Sequence, residues 1–203
     1  MKLPPFLLDQ WIAGYAGAAL PYNLGGSTGP SWTIGELLDL EPGATDRLLR
    51  APIAYQPSSG KLALREALAE MSGAAADDIV VTAGGAEALF LAAFVAAAPG
   101  GNVIVPSPGF PTYHAVPEAL GLELRTYSML DESGGFEPVR IKGLIDTNTR
   151  LIVVNTPHNP TGATVSVDAM RALQELAVTR GVQLVVDEVF HPIYHGQPCA
   201  SAS

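Results

Sequence analysis

From Ala54 onward the apolar positions follow two alternating periods. Leu62, Leu64, Leu68 and Met71 recur among Lys61, Arg65, Glu66 and Glu70, which predicts a helix over Gly60–Ser72 with Gly73 placed to stop it. Short apolar runs at Ile79–Thr82, Val103–Val105, Leu122–Tyr127, Leu151–Asn155 and Val182–Val186 predict strands. Between them the spacing predicts helices from Ala86 to about Ala98, over Pro111–Leu120, in a short piece near Val139–Ile145, and over Val167–Arg180. Ser166 suits the N-cap of the last helix and Gly181 its end. Strands alternating with helices predict an α/β fold whose strands are parallel and joined by right-handed crossovers.

Residues Met1–Pro52 are less regular. Phe6, Leu7, Trp11, Tyr15 and Ala18 share one face of a helix over Phe6–Leu20; Asn23–Pro30 is a glycine-rich loop; Thr33–Leu40 predicts a second short helix, ended by Glu41–Ala44. Neither an internal repeat nor a low-complexity tract is present.

Composition narrows the class. The 203 residues are 48% hydrophobic and 15% charged, enough for a sizeable core and far from a disordered chain. A net charge of −9 provides no basic face for phosphates, which argues against a nucleic-acid partner. The single cysteine, Cys199, excludes an intrachain disulfide and fits a reducing, cytoplasmic setting. The longest apolar run, Ala88–Ala98, is too short to cross a bilayer, and Pro4, Pro5 and Asp9 interrupt any signal-peptide core. The expectation is a soluble, acidic, intracellular protein without membrane or nucleic-acid partners.

In an open parallel sheet the loops after the strands converge on one edge, where ligands bind. Four such loops carry usable chemistry. Ala83-Gly84-Gly85-Ala86 opens a long helix whose free N–H groups suit a phosphate, or is a glycine turn serving close packing. It has neither the spacing of a dinucleotide fingerprint nor the Lys-Ser/Thr of a P-loop. In Pro106–Phe110, the Phe110 ring could stack on a flat heterocycle or belong to the core. Asn155–Gly162 (NTPHNPTG) is a rigid loop after a buried strand, or an ordinary turn. Asp187 ends the last strand, either solvated or paired with a cation. His191 and His195 have the spacing of helical metal ligands, but Pro192 between them disfavours the helix, so no metal is assigned.

Five motifs together carry a resemblance: Tyr55-Gln56-Pro57-x-x-Gly60, Thr82-Ala83-Gly84-Gly85-Ala86-Glu87-Ala88, Pro106-Ser107-Pro108-x-Phe110, Asn159-Pro160-Thr161-Gly162 and Asp187-Glu188-Val189. The chain resembles the class I/II aminotransferases, fold-type I enzymes dependent on pyridoxal 5′-phosphate (PLP), from about Ala54 to His195 and more faintly through Asn23–Gly29. The resemblance implies a three-layer α/β/α large domain with a mostly parallel sheet, incomplete at its C-terminus. It divides the chain into 1–52, an N-terminal arm and part of a small domain, and 53–203, the PLP-binding large domain in part.

The resemblance also implies roles. Gly84, Gly85 and Ala86 would hold the PLP phosphate, Phe110 would stack on the pyridine ring, Asn159 would donate to its phenolic oxygen, and Asp187 would pair with its nitrogen and keep it protonated. Tyr55 would reach the phosphate of a neighbouring subunit, which implies a homodimer. Ala86 stands where many relatives have Ser or Thr. Phe190 stands where many have Tyr, leaving Tyr194 as a possible substitute.

Transamination in this family needs a Schiff-base lysine, which lies a few tens of residues beyond the aspartate matching Asp187. The lysines here are Lys2, Lys61 and Lys142, none in that context, and the arginine that grips the substrate carboxylate lies further downstream still. The expectation is therefore the N-terminal part of an aminotransferase acting on an amino acid and a 2-oxo acid, inactive by itself. Its rivals are a lyase or synthase of the same fold, a PLP- or amino-acid-sensing domain of a regulator, and a truncated, inactive product. No basic helix-turn-helix precedes the domain, which disfavours the regulator.

Overall fold

In the computed structural model, which describes residues 5–15, 18, 21–22, 25–26, 29–130, 136–193 and 201–202, the chain winds around four parallel strands. Its elements in order are α1 (Leu7–Gly14), α2 (Ile34–Asp39), α3 (Ala44–Leu49), α4 (Leu62–Ser72), a 3₁₀ turn (Ala76–Asp78), α5 (Gly85–Ala96), β1 (Asn102–Pro106), α6 (Thr112–Ala119), β2 (Glu123–Tyr127), α7 (Val139–Lys142), β3 (Thr149–Asn155), α8 (Val167–Arg180) and β4 (Gln183–Asp187). The sheet order is β2-β1-β3-β4, and every pairing is parallel.

Why the central strands are apolar along Val103–Val105 and Leu151–Val154 is visible in their two faces. Successive side chains point to opposite sides of a sheet. Val103, Val105, Leu151 and Val153 pack with Ala93, Ala96 and Tyr113 of α5 and α6. Ile104, Ile152 and Val154 face the other way, onto Ile141 of α7 and Met170 and Leu173 of α8. Both faces are covered, so neither strand has a polar side. Complete burial of each of these aliphatic side chains stabilises the fold by about 1.5–3 kcal/mol. The expected helix–sheet–helix layering is thus present.

The helix ends follow their local chemistry. The Ser166 side chain accepts the Ala169 N–H, and Gly73 and Gly181 close α4 and α8 in the left-handed conformation. At α2 the Thr33 side chain accepts the Glu36 N–H while Glu36 accepts the Thr33 N–H, a capping box. No helix among the described residues is long and apolar enough to cross a membrane.

Three expectations are corrected. Ile79–Thr82 is not a strand: Val81 donates its N–H to Ser59 O, but the segment joins no sheet. Apolar composition favours extension, whereas a strand also requires a paired neighbour. The first helix covers only Leu7–Gly14, with none of its residues buried, and α3 forms where a simple termination was expected. The Ser133-Gly134-Gly135 loop, Tyr194, His195, Cys199 and parts of the Asn23–Gly29 loop lie outside the described residues.

Candidate functional site

The C-terminal ends of the strands bring three of the four loops into one bonded cluster. Asp187 is the last residue of β4, in register with Asn155 of β3. Its carboxylate is half-buried and doubly held: Oδ2 accepts the Tyr113 hydroxyl at 2.7 Å, and Oδ1 accepts the Val189 N–H at 2.9 Å. Tyr113, on α6, is buried, and its ring meets Phe110 edge-on at 5.9 Å between centroids. Burial first, and the adjacent Asp187 charge second, push the Tyr113 phenol far above its ordinary range, so it remains a donor.

Phe110 precedes α6 and is half-buried, with Phe6 of the N-terminal segment edge-on at 6.0 Å. The turn before it is tight. A Cβ on Gly109 would lie 2.6 Å from the Pro106 carbonyl oxygen, so only glycine lets the chain approach there.

The loop after β3 is anchored by Asn155, which is fully buried. Its Oδ1 accepts the Asn159 N–H at 2.8 Å, and its Nδ2 donates to the Asp187 carbonyl at 2.9 Å. One amide therefore fixes the backbone at two of the predicted site residues. Thr156 adds its N–H to the same Asp187 carbonyl, and its hydroxyl accepts the Val165 N–H. Asn159 itself is half-buried, and its side-chain amide has no partner among the described residues. His158, 2% exposed, bonds across to the loop after β1.

Gly84, Gly85 and Ala86 stand at the N-terminus of α5, which packs against α6, β3 and β4. Gly84 is the N-cap with φ +86° and ψ 171°, a conformation that favours glycine, and it supplies no side-chain cap. A Cβ at Gly84 or Gly85 would meet nothing within 4 Å, so open space adjoins the start of the helix. Glu87 folds back to accept the Ala83 N–H.

Tyr55 is not brought to this cluster. It lies in an extended, wholly exposed stretch with Ile53, pointing away from the chain's own core. Phe190 sits half-buried in the turn after β4, where it brings a ring without a phenol. Sequence patterning missed Tyr113, Asn155 and His158 as site residues. The available signal was polarity: Asn155 and His158 flank an apolar strand end, and buried polar groups require partners.

Residues 51–203 match the model of the family described as aminotransferase class I and II. A tyrosine aminotransferase of Mus musculus is 33% identical over 142 residues, which are 67% of this chain and 31% of that protein. A cystine lyase of Arabidopsis thaliana is 39% identical over 146 residues, 68% of this chain and 34% of its own length. A crystal structure of a PLP-dependent aminotransferase from Streptococcus suis superposes with a TM-score of 0.82 at 26% identity, covering 93% of this chain and 52% of that one. The chain spans about a third of these curated relatives and about half of the solved one. With the matched segment taking in every loop of the cluster, the chain belongs to the class I and II aminotransferase family.

Proposed function

We propose that residues 53–203 form the cofactor-binding part of a PLP-dependent aminotransferase that moves an amino group from an amino acid to a 2-oxo acid. The observation that carries this reading is the carboxylate of Asp187, fixed at a strand end by Tyr113 and Val189 beside a half-buried aromatic ring.

The residues present fit PLP. The uncapped start of α5 offers N–H donors and the positive end of the helix dipole to a phosphate. Phe110 offers a flat apolar face, Asn159 an unengaged amide among the described residues, and Asp187 the lone pairs that Tyr113 and Val189 leave free. When bound, PLP supplies an electron-withdrawing ring that stabilises negative charge on a substrate carbon.

In that arrangement Asp187 holds a proton on the ring nitrogen, Tyr113 and Asn155 keep Asp187 aimed, and Phe110 covers the ring and excludes water. Gly84, Gly85 and Ala86 seat the phosphate through their backbone, and Asn159 orients the ring edge. The exposed Tyr55 supports a homodimer in which it serves the partner's site. A cytoplasmic enzyme of amino-acid metabolism fits the acidic composition and single cysteine. The 39% identity to a cystine lyase supports a second reading, carbon–sulfur lysis on the same cofactor site.

The test is titration of the purified chain with PLP, followed by tryptophan fluorescence, beside Asp187→Asn. The variant keeps an oxygen acceptor and removes the charge, so affinity should fall about tenfold or more while the fold is retained. Absence of saturable binding, or equal affinity in the variant, would overturn the assignment.

A further inference from the structure

His158 is a buried ring whose two nitrogens reach two different loops. Nε2 lies 3.1 Å from the carbonyl oxygen of Pro108, in the loop after β1, and Nδ1 lies 2.7 Å from Thr161 Oγ1 in its own loop. A carbonyl only accepts, so Nε2 carries the proton. Nδ1 then accepts from the Thr161 hydroxyl, whose oxygen in turn accepts the Ala163 N–H at 3.2 Å. One neutral tautomer satisfies every group.

The backbone of the same residue closes the turn that follows. His158 N–H donates to Ala163 O at 2.8 Å, and its carbonyl accepts the Gly162 N–H at 2.7 Å. The main chain thus shapes the Asn159–Gly162 turn, while the ring holds Thr161 within it and reaches beyond it to Pro108. The loop after β1 is poorly provided with its own bonds, since Pro106, Pro108 and Pro111 lack N–H groups. Its carbonyls at Pro106 and Pro108 are met by imidazoles, His114 for the first and His158 for the second. Among the described residues, the bond from His158 to Pro108 is the one hydrogen bond directly joining the two loops.

We propose that His158 is a positioning residue that ties the Phe110 loop to the Asn159 loop and so sets the width of a slot for a planar pyridine ring. Phe110 is two residues beyond the accepting carbonyl, and Asn159 adjoins the donor. Neither of the groups held by His158 need touch the ligand for the spacing to depend on it. The ligand part of this inference rests on the PLP reading above; the loop coupling does not.

Three substitutions separate the two ends of the imidazole. His158→Gln places an amide N–H near the Nε2 position and keeps the bond to Pro108. His158→Asn reaches only the Nδ1 position, keeping Thr161 and losing Pro108. His158→Ala loses both. Hydrogen–deuterium exchange on the purified full chain, without ligand, reads the coupling directly. Exchange over residues 107–113 should rise about five- to tenfold in His158→Asn and His158→Ala, and stay near the parent rate in His158→Gln. Unchanged exchange in His158→Asn, or equal exchange in His158→Gln and His158→Ala, would overturn the coupling. PLP titration reads the slot: affinity should fall about three- to tenfold in His158→Asn and recover in His158→Gln. If the parent chain binds no PLP, the cofactor reading fails and the exchange rates still decide the coupling. If PLP binds all four chains alike, the slot is not set by His158.

Discussion

The Tyr113 hydroxyl donates to Asp187 Oδ2 at 2.7 Å, joining the helix after β1 to the last residue of β4 across the open edge of the sheet. The bond takes one oxygen of the carboxylate and leaves the phenol fully buried against Phe110. It gives Asp187 a fixed direction before any ligand arrives, so the cost of ordering is met during folding.

Tyr113→Phe should therefore separate packing from aim. The ring and its contact with Phe110 remain, and the Val189 N–H still holds Oδ1. Losing one hydrogen bond should lower stability by about 1 kcal/mol in urea unfolding. PLP affinity should fall about three- to tenfold, because the carboxylate is free to turn. A stability loss with unaltered PLP affinity would reduce Tyr113 to a packing residue.

The fold was more legible than the site. Leu151–Val154 and Val103–Val105 read as strands because burial on both faces demands unbroken apolar runs, and Ser166 and Gly181 marked helix ends by local chemistry. Ile79–Thr82 has the same composition and is no strand, since pairing is not written in one segment. Within the candidate site, the loops that carry Phe110 and Asn159 and the strand end at Asp187 were legible from the strand pattern, while the roles of these residues came only from the resemblance. Tyr113, Asn155 and His158 were not, because their partners lie 74, 32 and 50 residues away in sequence. Local periodicity has no access to such pairs.

His158 gives the chain a particular acid sensitivity. Burial pulls its pKa below the ordinary 6.5, and the bond to the Pro108 carbonyl offsets this only in part. The unfolded chain takes up that proton near pH 6.5, whereas the folded chain does so only at lower pH. The stability contributed by the neutral ring is full above about pH 6.5 and is lost as pH falls from there towards the folded value. His158→Gln has no such titration, and every other residue is common to the two proteins. The urea midpoint of the parent should thus decline relative to His158→Gln on lowering pH from about 7 to about 5. A constant difference across that window would contradict a neutral buried imidazole.

One face of α5 should make the isolated chain associate. Phe90 and Phe94 stack at 5.9 Å with Leu91 and Val95 beside them, and all four are exposed. Among the described residues, β4 pairs on one side only, with β3. Contiguous apolar surface and an open strand edge both favour self-association. Light scattering should report a mass that rises with concentration, and Phe94→Lys should reduce it without unfolding the chain. A monodisperse monomer at all concentrations would contradict the argument.

Ala86 provides the most direct test of where the phosphate sits. It is the second residue of α5, exposed, beside a glycine N-cap without a side-chain cap. Serine there costs the helix only about 0.5 kcal/mol and adds a hydroxyl donor at the mouth of the first turn. A hydrogen bond to a charged phosphate at an exposed position should strengthen PLP binding by about 1 kcal/mol, or about fivefold, in Ala86→Ser. Pyridoxal, which has the same ring and lacks the phosphate, should bind both chains equally. The comparison isolates the seat from the slot, since Phe110, Asn159 and Asp187 contact only the ring in the proposed arrangement. Equal gains for PLP and pyridoxal would move the phosphate away from α5, and no gain for either would leave the backbone donors of Gly84 and Gly85 without their assigned ligand.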